Sequence, residues 1–262
     1  MSDQTSHSKR FTLVHATDLS EQEEVAFEHG LGMACRARAR LYTVHATEEG
    51  ERDAVRAMPE AESILKRWQI ATDPIDCSLD DEVDFHSLVH TCCEDPVDTM
   101  LDAVREIEAD MLVVGKHRMS AVEGFFHDSV SESLARNLAV PTLFVPLETE
   151  GFVSSSNGEV DIERIVIPAV DQATLLEALE ATRSLMERIG QTEVEYIFLH
   201  TGEPGGMEDI VIPESDPEIH WETYQKEGPL DEAIRETCQQ YEADLVAMGT
   251  HGRSGFARYL VG

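Results

Sequence analysis

Lysine is scarce in this chain, with four among 20 basic residues, and those 20 face 52 acidic ones for a net charge of −32. A surface so poor in positive charge repels phosphate backbones and anionic lipid, which excludes nucleic acid and membrane surfaces as partners. Long apolar runs are absent as well, none approaching the roughly 20 residues needed to span a bilayer. The first ten residues, Met1 to Arg10, are polar with no apolar signal core behind them, so a cytoplasmic location is expected. The five cysteines show no Cys-x-x-Cys spacing, as suits reduced thiols, and adjacent Cys92 and Cys93 read as packing at a strand end. No His, Cys or Asp spacing suggests a metal site. No serine or cysteine comes with a recognisable base and orienter, so no catalytic residue is assigned. His45 and His200 read as packed strand residues, and the acidic pairs Glu23-Glu24 and Asp80-Asp81 as solvated faces.

What is present is a repeat. Ala243-Asp244-Leu245-Val246-Ala247-Met248, an apolar run of strand length, leads into Gly249-Thr250-His251-Gly252, and Gly262 follows. A strand running into closely spaced glycines is the layout of an anion cradle, because bare backbone lets N–H groups turn toward a phosphate, or else of a glycine-rich connection with no chemical role. A degraded copy starts at Asp110-Met111-Leu112-Val113-Val114 and runs into Gly115-Lys116-His117-Arg118, with Asp128 and Ser129 beyond. Phe11 to Asp18 matches Arg164 to Asp171, Arg40 to His45 matches Glu195 to His200, and Glu106 to Met111 matches Gln240 to Leu245. Asp18 and Asp171 are 153 residues apart but Gly115 and Gly249 only 134, so the first half carries the longer excursion between its second and third strands. The chain therefore reads as a tandem duplication, with units at 1–147 and 162–262 and a polar, flexible linker at 148–161 containing Ser154-Ser155-Ser156-Asn157-Gly158.

Strands alternating with helices predict two doubly wound α/β domains with parallel sheets. Ser20 with Glu23, and Ser129 with Glu132, have capping-box spacing, while Pro96 suits a first helical turn. Apolar stripes run through Ala26, Gly30, Met33 and Ala34, through Val97, Met100, Leu101, Val104 and Ile107, and through Leu175, Ala178, Leu179, Thr182, Leu185, Met186 and Ile189. Ligands in such sheets sit at the carboxyl ends of the strands, where Asp18, Asp171 and both glycine starts lie.

The Gly249-Thr250-His251-Gly252-Arg253-Ser254-Gly255 motif, the nine residues from Gly252 to Gly262, and an aspartate ending the first strand together resemble the universal stress protein family. The resemblance covers both halves apart from the linker and residues 47–82. It implies a nucleotide-binding fold in each half and ATP, with Mg2+, as the ligand. By resemblance Asp171 would contact the ribose or adenine side, and Thr201 would flank adenine. The backbone around Gly249, Thr250, His251 and Gly252 would hold phosphates, with Gly262 completing the cradle. In the first half the corresponding positions are Asp18, Gly115 and Ser129. The family further implies pairing through fifth strands, here an intrachain pseudo-dimer, with a further homodimer left open.

Both halves depart from the pattern. In the first, Arg118 and Asp128 replace glycines. A carboxylate about 5 Å from a phosphate repels it by roughly 3 kcal/mol at an effective dielectric near 20, about a hundredfold in affinity. The second half keeps its glycines, but the chain stops at Gly262, before the expected last helix and fifth strand. A shortened chain is expected there; otherwise another strand must cover that sheet edge. The reading is an ATP-binding stress-response regulator with its competent site in the second half, at most slowly hydrolytic. The alternatives are a nucleotide-free protein-interaction scaffold and, more weakly, an enzyme of a related nucleotide α-hydrolase-like group.

Overall fold

The run Thr-Leu-Val-His-Ala is buried at every position and forms β1 (Thr12–Ala16), its side chains alternating between two helical layers. The computed structural model describes residues 9–48, 50–70, 84–91, 95–116, 130–138, 140–201, 211, 219–226, 229–249 and 259–261. After β1 come a short 3-10 turn (Glu21–Glu23), α1 (Glu24–Ala37), β2 (Arg40–Thr47), α2 (Glu51–Ala57), α3 (Ala61–Arg67) and β3 (Asp84–Thr91). The first half continues through α4 (Pro96–Ile107), β4 (Met111–Lys116), α5 (Val130–Asn137) and β5 (Thr142–Pro146). The second half runs β6 (Arg164–Pro168), α6 (Gln172–Ile189), β7 (Val194–Thr201), β8 (Ile219–Lys226), α7 (Leu230–Tyr241), β9 (Leu245–Met248) and β10 (Tyr259–Val261).

Each half is an α/β unit with parallel strands, as expected, and the two are continuous in one ten-stranded sheet of order β3-β2-β1-β4-β5-β10-β9-β6-β7-β8. β10 joins them, parallel to β5 and antiparallel to β9. It follows that β6 to β9 run opposite to β1 to β5, so the carboxyl ends of these two sets open at opposite edges of the sheet. The edge beside β9 is paired with β10.

One apolar layer extends across both halves. Phe27, Leu31 and Met33 of α1, Leu65 of α3, and Leu175, Ala178 and Leu185 of α6 are buried in a single cluster with Leu13, Val113, Ile165 and Ile167 from the sheet. On the opposite face the two halves have separate clusters, beneath α4 and α5 and beneath α7. The stripe residues of α6 are all buried. In α4 Pro96 occupies the first turn as expected, and Asp95 caps the helix, its Oδ1 accepting from Val97 N at 2.8 Å.

The duplication is visible in the backbone. Asp110 Oδ2 accepts from Thr12 N at 2.9 Å, and Asp244 Oδ2 accepts from Arg164 N at 2.9 Å. An aspartate thus pins the start of the first strand in each half. Both preceding helices end on a left-handed glutamate, Glu108 (φ 54°) and Glu242 (φ 50°). The register also refines the repeat. Leu13 lies beside Met111 and Ile165 beside Leu245, so the first strands align 152 residues apart, one less than their aspartates. His15 therefore corresponds to Ile167, and the second half spends one more residue before Asp171.

Residues 148–161 are not a loose tether. Val153 and Val160 form an antiparallel bridge, and with Phe152 they are buried in the shared core. Trp68, next to α3, donates Nε1–H to Ser155 O at 3.0 Å. The serine-rich composition is real, but its flanking apolar residues bury enough surface to fix the segment on α1 and α3. His29 of α1 lies under it, its ring edge-on to Phe152 at 4.7 Å and its Nδ1 on Val25 O at 2.7 Å. Its Nε2 is buried without a partner, and desolvation lowers its pKa from 6.5 to about 4.

Because the folded protein resists protonating His29 while the unfolded chain does not, stability is full above pH 6.5 and declines as pH falls toward 4. The loss at the acid end is about 3 kcal/mol. Urea midpoints measured at pH 7, 5.5 and 4.5 should show this decline, and His29→Gln should flatten it.

Candidate functional site

In the second half, β6, β7 and β9 end on the same edge and bring Asp171, Thr201 and Gly249 to it. Asp171 is the N-cap of α6, its Oδ1 accepting from Ala173 N at 2.9 Å and Thr174 N at 3.0 Å. Two amides hold one oxygen, which fixes the carboxylate plane at the sheet's mouth. His200 bonds through Nδ1 to Ala169 O at 3.0 Å, tying the end of β7 to the loop that carries Asp171. Gln172 grips the exposed residue Val211 from both sides, accepting from its N at 2.6 Å and donating to its O at 2.8 Å.

Gly249 has a local reason to be glycine. A Cβ there would overlap the backbone of Thr174, its carbonyl oxygen first. The first turn of α6 rests directly on the strand end, so Asp171, Thr174 and Gly249 form one rigid corner. Thr174 carried no signal in the sequence, since a threonine in a first helical turn is unremarkable.

The first half is built differently at the equivalent corner. Asp18 accepts from Ser20 N at 2.8 Å and is exposed, and Leu19 takes a left-handed conformation (φ 65°) while bonding to Thr17 Oγ1. The 3-10 turn then intervenes, so Asp18 does not cap α1 as Asp171 caps α6. His45 repeats the role of His200, with Nδ1 on Thr17 O at 2.8 Å. Both histidines, which the sequence reads as packed strand residues, tie a strand end to the preceding loop, His200 buried and His45 half-buried.

Two expectations here are overturned. Ser20 and Glu23 make no capping box, for Ser20 Oγ is buried without a partner and its side chain caps nothing. Nor does Glu23 belong to a solvated face. It is 8% exposed, and its Oε2 lies 3.2 Å from Nε2 of His15, which is fully buried. Its other oxygen occupies the space a Cβ on Gly115 would take. The 3-10 turn rotates Glu23 inward, a consequence of backbone geometry that side-chain spacing does not report. His15 was also missed, hidden in an otherwise apolar strand.

Thr250, His251, Gly252, Gly262 and Ser129 lie outside the described residues, as do His117, Arg118 and Asp128. No group of three or more His, Cys, Asp or Glu among the described residues could hold a metal ion. No helix among them is long and apolar enough to cross a membrane. Burial pushes the thiols of Cys35 and Cys238 up to about 11, which keeps both protonated near neutral pH.

The two corners predict unequal responses to one methyl group. In Gly249→Ala the clash is with helix backbone, which cannot yield, and destabilisation of about 2–4 kcal/mol is expected. In Gly115→Ala the obstructing atoms are the ends of the Glu23 and Leu147 side chains, which can swing aside. Denaturant midpoints should therefore fall further for Gly249→Ala.

Residues 10–146 and 154–262 each match the universal stress protein family. The crystal structure of a universal stress protein from Archaeoglobus fulgidus DSM 4304 superposes with a TM-score of 0.57 at 16% identity, over 97% of this chain and 98% of that one. A universal stress protein solved in complex with cAMP has a TM-score of 0.37 at 19% identity, covering 54% of this chain and 100% of its own. UspA from Lactobacillus plantarum gives 0.36 at 14%, covering 52% and 98%. No curated protein matches the chain. The whole-chain likeness at this identity speaks to fold, and the family match over both halves settles the kinship: the chain belongs to the universal stress protein family, as a tandem two-domain member.

Proposed function

We propose that this protein is a cytoplasmic stress-response regulator that binds ATP, with Mg2+ carried in by the nucleotide, in its second half. The observation that supports this most is the corner formed by Asp171, Thr174 and Gly249, where a fixed carboxylate stands beside a strand end kept free of side chain. These residues fit the nucleotide. A half-buried carboxylate with a fixed plane suits a ribose hydroxyl donor, and a glycine entering the loop leaves backbone amides accessible to phosphate. Thr201, at the end of β7, would flank the base. Thr250, His251, Gly252 and Gly262 would hold the phosphates, and Mg2+ would neutralise part of their charge. In the first half, Asp18, Gly115 and Ser129 are the corresponding positions.

Regulation would work by population shift, ATP favouring one arrangement of the two halves and with it one surface for a protein partner. A second reading has its own support. Packing against Thr174 accounts for Gly249 with no ligand at all, and the net charge of −32 suits a nucleotide-free scaffold for protein partners.

Calorimetry with Mg·ATP distinguishes the two. A nucleotide-binding protein shows one site, and ATP at about a hundredfold over Kd adds about 2.7 kcal/mol of stability. Asp171→Asn keeps the helix cap but removes the charged acceptor, so it should weaken binding about tenfold or more. A folded protein that gives no heat and no thermal shift supports the scaffold.

A further inference from the structure

We infer that residues 151–161 form a strap that lifts from the helices when acid protonates His29, opening locally while the rest of the fold stays closed. The segment is closed on itself. Asp161 N donates to Phe152 O at 2.9 Å, Ser154 N to Glu159 O at 2.9 Å and Gly158 N to Ser154 O at 2.8 Å, around the Val153–Val160 bridge. Among the described residues no ladder joins it to the ten-stranded sheet, and its hydrogen bond to another element is the one from Trp68 Nε1 to Ser155 O. The rest of its hold is apolar contact. Val153 and Val160 seat against Gly32 of α1, where a Cβ would come within 2.9 Å and 3.4 Å of them, and Gly158 lies on the Trp68 ring. Lifting the strap therefore removes apolar contacts and one hydrogen bond, and leaves the strands of both halves paired.

His29 is placed to drive that movement. Its Nδ1 donates to the Val25 carbonyl, so in the neutral ring Nε2 carries the lone pair, and it faces Gly151 with no partner. A proton added at Nε2 puts a cation between α1 and the strap, with Phe152 edge-on to the ring and no acceptor for the new N–H. No carboxylate offsets that charge. Glu28, beside it on α1, is held by Arg67 of α3, and Glu148 and Glu150 of the connecting segment are exposed. Desolvation and the Val25 carbonyl act on the ring in opposite senses, and desolvation prevails, taking its pKa from 6.5 to about 4. Lifting 151–161 returns the Nε2 side of the ring to water, and its ordinary pKa with it. Unfolding the chain would do the same but would give up the whole shared core, so the strap is the smaller opening. Acid thereby exposes Phe152, Val153 and Trp68 and slackens the connection between the halves without parting them.

The test is hydrogen exchange on the full chain between pH 6.5 and 4, corrected for the intrinsic pH dependence of exchange. The amides of Ser154, Gly158 and Asp161 and the indole N–H of Trp68 report the strap, and the amides of 13–16 in β1 report opening of the whole fold. The strap's opening constant should exceed that of β1 at each pH. It should also rise about 300-fold over the interval, tenfold for each of roughly 2.5 pH units between the two pKa values. His29→Gln and His29→Leu, which cannot titrate, should keep the strap opening more readily than β1 and abolish the rise. Equal opening constants for strap and β1 at every pH overturn the inference, as does a wild-type strap constant that stays flat. A rise of the wild-type size in either His29 variant overturns it too, because the proton would then be taken up elsewhere.

Discussion

The structure depends on one apolar layer that runs unbroken beneath α1 and α6. Because it is continuous, the two halves share a core on that face instead of meeting as separate globules. The segment 148–161 belongs to the same layer through Phe152, Val153 and Val160, so the connection between the halves is part of what holds them. Arg188 of α6 adds a polar tie, its guanidinium 4.4 Å from the centre of the Phe11 ring across the boundary. Burying the layer on both sides of the seam requires the halves to run in opposite directions. That places their strand ends, and with them the two glycine corners, on opposite edges of the sheet.

Opposed sites joined by a shared core constrain how one could influence the other. A ligand bound at the second corner, as proposed, would touch the start of α6, and α6 packs on the same layer as α1, whose preceding turn carries Glu23. Among the described residues, the link between the corners is therefore a pair of helices on one core. Within each half the corner is stiffened by a histidine at the end of the second strand, His45 or His200, bonded to the loop after the first. These ties survived duplication in both copies. The residues at the glycines themselves diverged, Thr174 backbone in one and the Glu23–His15 pair in the other.

Much of the architecture could be read along the chain. The α6 stripe from Leu175 to Ile189 is an uninterrupted 3.6-residue pattern, and it is buried as read. The Ala-Asp pairs preceding β4 and β9 revealed the repeat, and each aspartate proves to pin a strand. Less legible were features that depend on which way a side chain turns. Glu23 followed Ser20 at capping-box spacing, but the chain leaves β1 through a left-handed Leu19 and a 3-10 turn, so the carboxylate points to His15. Likewise, Phe152, Val153 and Val160 flank a run of serine and glycine, and composition averaged over that segment concealed how well they pack.

By itself, the order of residues determined the duplication, the α/β class, the helical faces and the placing of Asp18, Asp171 and the glycines at strand ends. All of these are local matters, fixed by periodicity and by the few residues at each boundary. Only the tertiary structure decided that the halves form a single sheet with opposed strands, that the connecting segment is packed, and what fills the space beside Gly115 and Gly249. Those outcomes depend on contacts between residues far apart in the chain, such as Gly115 with Glu23, Gly249 with Thr174 and His29 with Phe152. A one-residue difference in register or a single left-handed residue changes which atoms meet, and neither leaves a periodic trace in the sequence.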